Sequence, residues 1–416
     1  MRRTILSLAL ALAACAAARA QFPVQNVPAP PMGQPYSAEV ANLDYQPYVG
    51  PLWTTDFEYL LYFVKPHSFT NPVLGESNDP NRNLGGFVTT LGADAPGFVS
   101  VVNGNVDRGP YHGGRLTITR ALPVSYDRCA HAEVVFFWLP QQDNRRSVVS
   151  TPDGNPAILL PFRSSLDTAG IGPVGNYSAV VSGNINGARI DGAASVYTAL
   201  QWWGGELNYS GPFYASDCFG FEGLFGFRYM GMQDTVEITA GSGIGGGLNT
   251  FDQFKTTNHF YGGQAGVRLL WFDDRWAVKV EGKVGLGDSQ SNLAVRGENA
   301  TPVGFPGAAG IGGFYTSSTN VGNSSTDKFG AIVDLNTSLR FALSSSCGLS
   351  VGYNFLYWSS VLRAADQVSG SLNPTFHPIL NVLTGAGQVG PPEPRQLRNA
   401  GDIWAHGLNF GLDFRF

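Results

Sequence analysis

Residues 407–416 read GLNFGLDFRF, and taken in twos they sort into two faces. Leu408, Phe410, Leu412, Phe414 and Phe416 share one face; Asn409, Gly411, Asp413 and Arg415 share the other. A β-strand alternates sides with period two, so the stretch predicts a strand with one apolar and one polar side. Such a strand can close a soluble sandwich or face lipid on a membrane barrel. The rest of the chain has to choose.

The same alternation recurs upstream. In WTTDFEYLLYF, Trp53, Phe57, Tyr59, Leu61 and Phe63 oppose Asp56 and Glu58. Glu133 lies among Ala132, Val134, Phe136 and Trp138, and Glu222 and Arg228 lie among Phe219, Phe221, Phe225, Phe227 and Tyr229. YGGQAGVRLLW sets Tyr261, Val267, Leu269 and Trp271 against Gln264 and Arg268. WAVKVEGKVGLG sets Trp276, Val278, Val280, Val284 and Leu286 against Lys279, Glu281 and Lys283. AIVDLNTSLRFAL does the same with Asp334 and Arg340. Aromatics such as Tyr261 and Trp271 end the apolar runs, as in the belts where a barrel wall meets each membrane interface.

Candidate tight turns are LPVSYDR, YASD, FDDR and SSSCG. Between them run long Gly-, Ser- and Asn-rich segments at roughly 66–113, 140–192, 240–256, 290–328 and 363–402. Short turns at one end and long loops at the other are the pattern of outer-membrane barrels. The fold expected is all-β: a transmembrane antiparallel up-and-down β-barrel of about ten strands, within a range of about eight to twelve, with short periplasmic turns and long extracellular loops. Some of the loops are expected to carry hairpins. Pairing the last strand with the first, around Trp53 to Val64, removes both free edges.

Composition agrees with that fold and narrows the chemistry. The chain has 53 Gly among 416 residues, with 12% aromatic and 14% charged residues. Its start, MRRTILSLALALAACAAARA, has the basic, apolar and small-residue parts of an export signal cleaved after Ala20. A rival reading lipidates Cys15 in LAAC. Residues 21–51 are Pro-rich and aperiodic, a periplasmic linker, and 52–416 form the barrel domain. Without Arg2, Arg3 and Arg19 there remain 23 Lys+Arg against 31 Asp+Glu, a formal charge of -8. That balance argues against nucleic acid as a partner. Cys129, Cys218 and Cys347 are too few and too spread for a disulfide framework.

FEGLFGFRYMGMQDTVEI, TNHFYGGQAGVRLLWF, VGYNFLYWSSVLRAADQV and IWAHGLNFGLDFRF together resemble a planctomycete-type family of outer-membrane β-barrels described as porins. FEYLLYFVKP and GGRLTI fit as well. The resemblance covers roughly 52–416 and implies a location and a fold, with no catalytic residues to transfer. Phe410, Leu412, Phe414 and Phe416 resemble the terminal signal read by the barrel-assembly machinery of outer membranes, which with outer-membrane lipid is the expected partner.

The inward charges are the candidate site: Asp56, Glu58, Glu133, Glu206, Glu222, Arg228, Arg268, Lys279, Glu281, Lys283, Asp334, Arg340 and Arg415. They can fill a small lumen with mutually satisfied charge or line a path for ions. The leading expectation is a porin-like passive channel for small solutes or ions. The alternative is a non-conducting surface barrel whose loops bind a partner or an envelope polymer. A weaker third is a rim hydrolase built on His259 and Asp252. No metal-ligand spacing is present, and GSGIGGG at Gly241 to Gly247 lacks the Lys-Ser/Thr of a phosphate loop, so no cofactor and no enzyme activity are expected.

Overall fold

A computed structural model describes residues 52–416 except 78, 80–81, 107, 126–127, 169, 217, 244–247 and 301–310; the side chains of 103, 123–125 and 128–129 are also outside the description. The export signal at 1–20, Cys15 and the linker at 21–51 lie outside the described residues, as does the Cys129 side chain.

In chain order the first strands are β1 (Trp53–Val64), β2 (His67–Ser77), β3 (Val88–Thr89), β4 (Phe98–Val106), β5 (Tyr111–Ser125) and β6 (Arg128–Val149). Next come β7 (Ile158–Ser164), β8 (Gly175–Val180), β9 (Gly183–Ile185), β10 (Ala188–Ile190), β11 (Gly192–Ala215) and β12 (Phe219–Ser242). The last are β13 (Asn249–Asp273), β14 (Trp276–Ala300), β15 (Gly322–Ala342), β16 (Cys347–Leu362), β17 (Ser371–Leu372) and β18 (Ala400–Arg415). Ten of them close into an antiparallel barrel in the order β1-β18-β16-β15-β14-β13-β12-β11-β6-β5. The seam joins β1 to β18 from Thr54 opposite Arg415 to Val64 opposite Ala405. Trp53 and Phe416 extend it, exchanging backbone hydrogen bonds at 2.9 and 3.0 Å.

The barrel wall is much taller than a bilayer. β13 has 25 residues, where about 9–11 tilted residues span the hydrocarbon. Its outward apolar run goes from Tyr261 to Trp271. At about 3.3 Å per residue and a tilt near 40°, that run is roughly 25 Å tall, the height of a lipid-facing band.

Above the band the polarity of the wall inverts. On β12, Phe219 to Tyr229 face outward opposite inward Glu222 and Arg228. Further along the same strand, Gln233, Thr235, Glu237 and Thr239 face outward, while Met230, Met232, Val236, Ile238 and Ala240 are buried inside. β13 follows suit, with Gln253, Lys255 and Thr257 outside and Phe254 and Phe260 inside. In lipid the outer face must be apolar; in water it must be polar, and the strand then needs a core on its inner side.

The long connections supply that core, and here several sequence boundaries are corrected. The stretch 240–256 is not a long loop, because β12 runs to Ser242 and β13 restarts at Asn249; Gly241 belongs to β12. Likewise β6 reaches Val149, β14 reaches Ala300 and β15 starts at Gly322, so 140–192 and 290–328 are partly barrel wall. The strands overshoot because their upper halves bury apolar side chains against the cap. That cap is a sheet in the order β3-β8-β7-β2-β4, with β17 alongside β7 and β9-β10 as a separate hairpin. Phe69, Leu74, Val102, Ile158, Leu160 and Phe162 of this sheet pack with Val236, Ile238 and Phe254 of the barrel wall.

Candidate functional site

The lower lumen, at the short-turn end, collects the inward charges, and strand register decides who meets whom. Glu206 stands directly opposite Arg228, Glu222 opposite Arg268, Arg268 opposite Glu281 and Lys283 opposite Asp334. Arg268 binds Glu133 at 2.7 Å, Glu281 at 2.6 Å and Glu222 at 3.2 Å. Lys283 reaches Glu206 at 2.9 Å, Glu281 at 3.1 Å and Asp334 at 3.5 Å. Arg228 bridges Glu206 at 2.5 Å and Asp334 at 2.7 Å. Nearer the mouth, Arg340 joins Asp56 at 2.5 Å and Asp413 at 2.9 Å, and Arg415 joins Asp413 at 3.1 Å.

Twelve of the thirteen candidates are therefore ion-paired, counting Glu58, which holds Arg115 at 3.2 Å. Lys279 makes no ion pair within 4 Å among the described residues, though its charge acts on Asp56, Glu58 and Glu281. Such closure suits a buried site, since removing one member of a buried pair costs about 3–5 kcal/mol. Arg115 and Asp413 were missed as site residues although strand parity places both inward. Neutral bridges were missed too: Asn354 donates to Asp334 at 2.7 Å, and Gln264 to Glu206 at 2.9 Å. Among these groups lies a polar cavity of about 400 Å³, reaching from Ser216 and Phe219 at the turn end to Glu206, Lys283 and Asp334.

The cavity stops there, because the next layer is apolar. Leu60, Tyr62, Leu139, Leu200, Trp202, Met230, Met232, Phe260, Ile332 and Trp358 fill the barrel as one buried cluster. Rings cross the lumen in series: Phe137 to Trp202 at 6.4 Å, Trp202 to Trp358 at 6.2 Å and Trp358 to Phe260 at 6.3 Å. The wall makes room with glycine. A Cβ at Gly262 would come within 2.5 Å of the Phe260 ring. From the sequence, alternation turns Phe137 and Gly262 inward, but the rest of this layer goes unseen because the inward charges draw the eye to a polar lumen.

Just above the apolar layer, three chain segments converge on Asp234 of β12, which is fully buried. His67, at the start of β2, places Nε2 2.5 Å from it. Arg363, beyond β16, donates to it at 3.1 Å, as does the Ala364 backbone N–H at 3.2 Å. Arg108, entering β5, stands 3.7 Å away. Each segment leads between barrel and cap, so one carboxylate ties the connections together.

Higher still, Asp252 and His377 hold one turn from two sides. Asp252 accepts backbone N–H bonds from Phe314 at 2.9 Å and Tyr315 at 3.0 Å, and the Thr316 hydroxyl at 2.6 Å. His377 Nε2 donates to the Phe314 carbonyl at 2.6 Å, while its Nδ1 accepts from the backbone of Ile379 and Leu380 at 3.2 and 3.1 Å. Both groups lie above the apolar band. Burial pushes Asp252 up to about 6, although its hydrogen bonds act the other way. Burial pushes His377 down to about 4. Phe314 and Tyr315 are thereby pinned in the cap core, and the Tyr315 hydroxyl donates to the carbonyls of Val73 and Pro161.

The proposed rim pair is not brought together. Asp252 and His259 are seven residues apart on one strand, so they face opposite sides: Asp252 inward to the cap core, His259 outward beside Tyr229 at 3.0 Å. Among the described residues no cluster of three or more His, Cys, Asp or Glu is placed to hold a metal ion.

No curated protein matches the chain. Among solved structures it is similar to the outer membrane protease OmpT of Escherichia coli, at 8% identity and a TM-score of 0.39, covering 90% of this chain and 99% of that one. A FadL homologue of Pseudomonas aeruginosa gives 9% identity and a TM-score of 0.25, with 88% and 91% covered. Residues 57–416 match the family described as "Putative beta barrel porin-7", and the chain belongs to that family of β-barrels.

Proposed function

We propose that this protein is an outer-membrane barrel shut across its lumen, which holds a folded cap at the cell surface. The short-turn end and its charged cavity face the periplasm; the cap faces outward. The observation that carries the reading is the apolar layer around Trp202 and Trp358, which separates the charged cavity from the cap. The cap then offers a folded surface for a partner or an envelope polymer. A porin-like passive channel, the function foremost in the sequence, requires the ring layer and the cap to move together. The hydrolase alternative lacks the pair it was built on. Phe410, Leu412, Phe414 and Phe416 lie on the outward face of the seam strand, as a terminal assembly signal would need. The test is electrical. Purified full-length protein in planar bilayers is expected to give no sustained current steps, and the Trp202→Ala/Trp358→Ala variant is expected to give them. Sustained steps in the wild type overturn the shut-barrel reading in favour of the channel.

A further inference from the structure

Three times on the outer wall, a tyrosine hydroxyl meets the Nδ1 of a histidine on the neighbouring strand. Tyr59 meets His112, Tyr229 meets His259 at 3.0 Å, and Tyr353 meets His406 at 3.1 Å. The diagonal is the same each time. His112 stands opposite Leu61, His259 opposite Gly231 and His406 opposite Phe355, always two residues from the tyrosine toward the cap. The pairs sit on β1/β5, β12/β13 and β16/β18, which puts them on two sides of the ring. Below them the outer wall is apolar; on β12 and β13 the next outward residues above are Gln233 and Thr257. His259 thus stands where the apolar wall gives way to polar residues, and His406 stands among the outward aromatics Phe63, Trp404 and Tyr357; aromatic belts of this kind mark headgroup depth.

The chemistry of each pair fixes what the histidine shows to its surroundings. A phenol is the better donor and an imidazole nitrogen the better acceptor, so the hydroxyl hydrogen goes to Nδ1. The ring then carries its own hydrogen on Nε2, and a protonated ring does so as well. No described residue accepts a hydrogen bond from Nε2 of His112, His259 or His406. The rings are also held in place. His406 stacks on Phe63 at 5.8 Å beside Trp404, and His259 stacks against the adjacent pair Tyr229 and Tyr261 at 6.1 and 6.4 Å. At this depth the strongest acceptors are anionic phosphate oxygens, which bind a donor about twice as strongly as neutral groups do.

We propose that His112, His259 and His406 form three lipid sites, each donating its Nε2–H to the phosphate of a lipid in the outward leaflet. This rests on the membrane reading above. The test compares a phosphate-bearing lipid with a phosphate-free lipid of the same acyl chains. Full-length protein is reconstituted in vesicles holding equal amounts of dioleoyl phosphatidylglycerol and dioleoyl galactosylglycerol, then extracted gently. The lipid that stays bound is counted by native mass spectrometry. The wild type is expected to retain the phospholipid in excess over its share of the vesicle, and His112→Phe/His259→Phe/His406→Phe to lose that excess. Tyr59→Phe/Tyr229→Phe/Tyr353→Phe keeps every ring but frees the tautomer, and is expected to reduce the excess. Insertion with no phosphate preference, or an equal preference in all three proteins, overturns this proposal alone. Failure of the wild type to insert into any vesicle overturns the membrane reading with it.

Discussion

Trp202 on β11 and Trp358 on β16 lie on strands opposite one another in the ring, yet their ring centroids are 6.2 Å apart. Two indoles reaching from facing walls meet in the middle, and both are fully buried. The lumen is filled at this level, whatever the charges beneath it could otherwise conduct.

The first prediction follows from that contact. Replacing either tryptophan with alanine should cost about 3–5 kcal/mol, the usual loss for a large buried aromatic. Because the rings touch, the double change should cost less than the sum. Urea unfolding midpoints in detergent micelles check this; additive losses would mean that the two rings do not support each other.

A second prediction tests the inversion along β13. Val267→Arg, in the apolar band, should cost about 2–4 kcal/mol. Lys255→Leu faces outward above the band and should stay within about 0.5 kcal/mol. Phe254→Ala, one residue away but inside the cap core, should cost about 3–5 kcal/mol. Refolding into lipid vesicles measures all three, and equal damage at 255 and 267 would contradict a single waterline across the strand.

Asp234 carries the third. Asp234→Ala leaves Arg363, Arg108 and His67 buried around a missing carboxylate, a loss of about 3–5 kcal/mol. The damage should appear first as loosening of the cap connections. Limited proteolysis in the segments after β1 and β16 is the readout, with the barrel expected to resist. Cleavage at wild-type rates would rule out a tie at this carboxylate.

The fourth concerns acid and the turn at Phe314. Asp252 is raised from 3.8 to about 6, so its folded state binds the proton more tightly; its contribution is full below about 3.8 and lost as pH rises through 6. His377 is lowered from 6.5 to about 4, so its contribution is full above about 6.5 and lost as pH falls through 4. Separated by mutation, the two should show opposite slopes. Amide exchange at Phe314 to Thr316, corrected for intrinsic rates, should slow on acidification from pH 6.5 to 4 in His377→Gln. It should quicken over the same range in Asp252→Asn. Slopes of the same sign would refute the assignment.

The wall of the barrel was legible residue by residue. Period-two alternation, aromatics at the ends of apolar runs and four tight turns are local properties, and each needs only a strand and its solvent to have meaning. The inversion was written there too, as apolar residues moving from odd positions at Phe219 to Tyr229 to even ones at Met230 to Ala240 on β12. A reading of the wall that stops with the outward apolar run, at Tyr229 on β12, misses it, and reading the polar stretches from 240 and 290 as loops cuts the strands short as well. The charge network was half legible. Parity put Glu206, Arg228, Lys283 and Asp334 inside, but only register set them opposite one another.

The contact that closes the lumen could not be read. Alternation turns Trp202 to the side of Glu206 and Trp358 to the side of Asn354, both inward, but nothing along either strand shows that the two rings meet across the barrel. Asp234 likewise gathers His67, Arg108 and Arg363 from three distant parts of the chain. The sequence by itself determined which way each side chain turns, because that depends on neighbours along one strand. Closing the sheet into a ring decided which inward side chains meet, because that depends on where the ring brings opposite walls together.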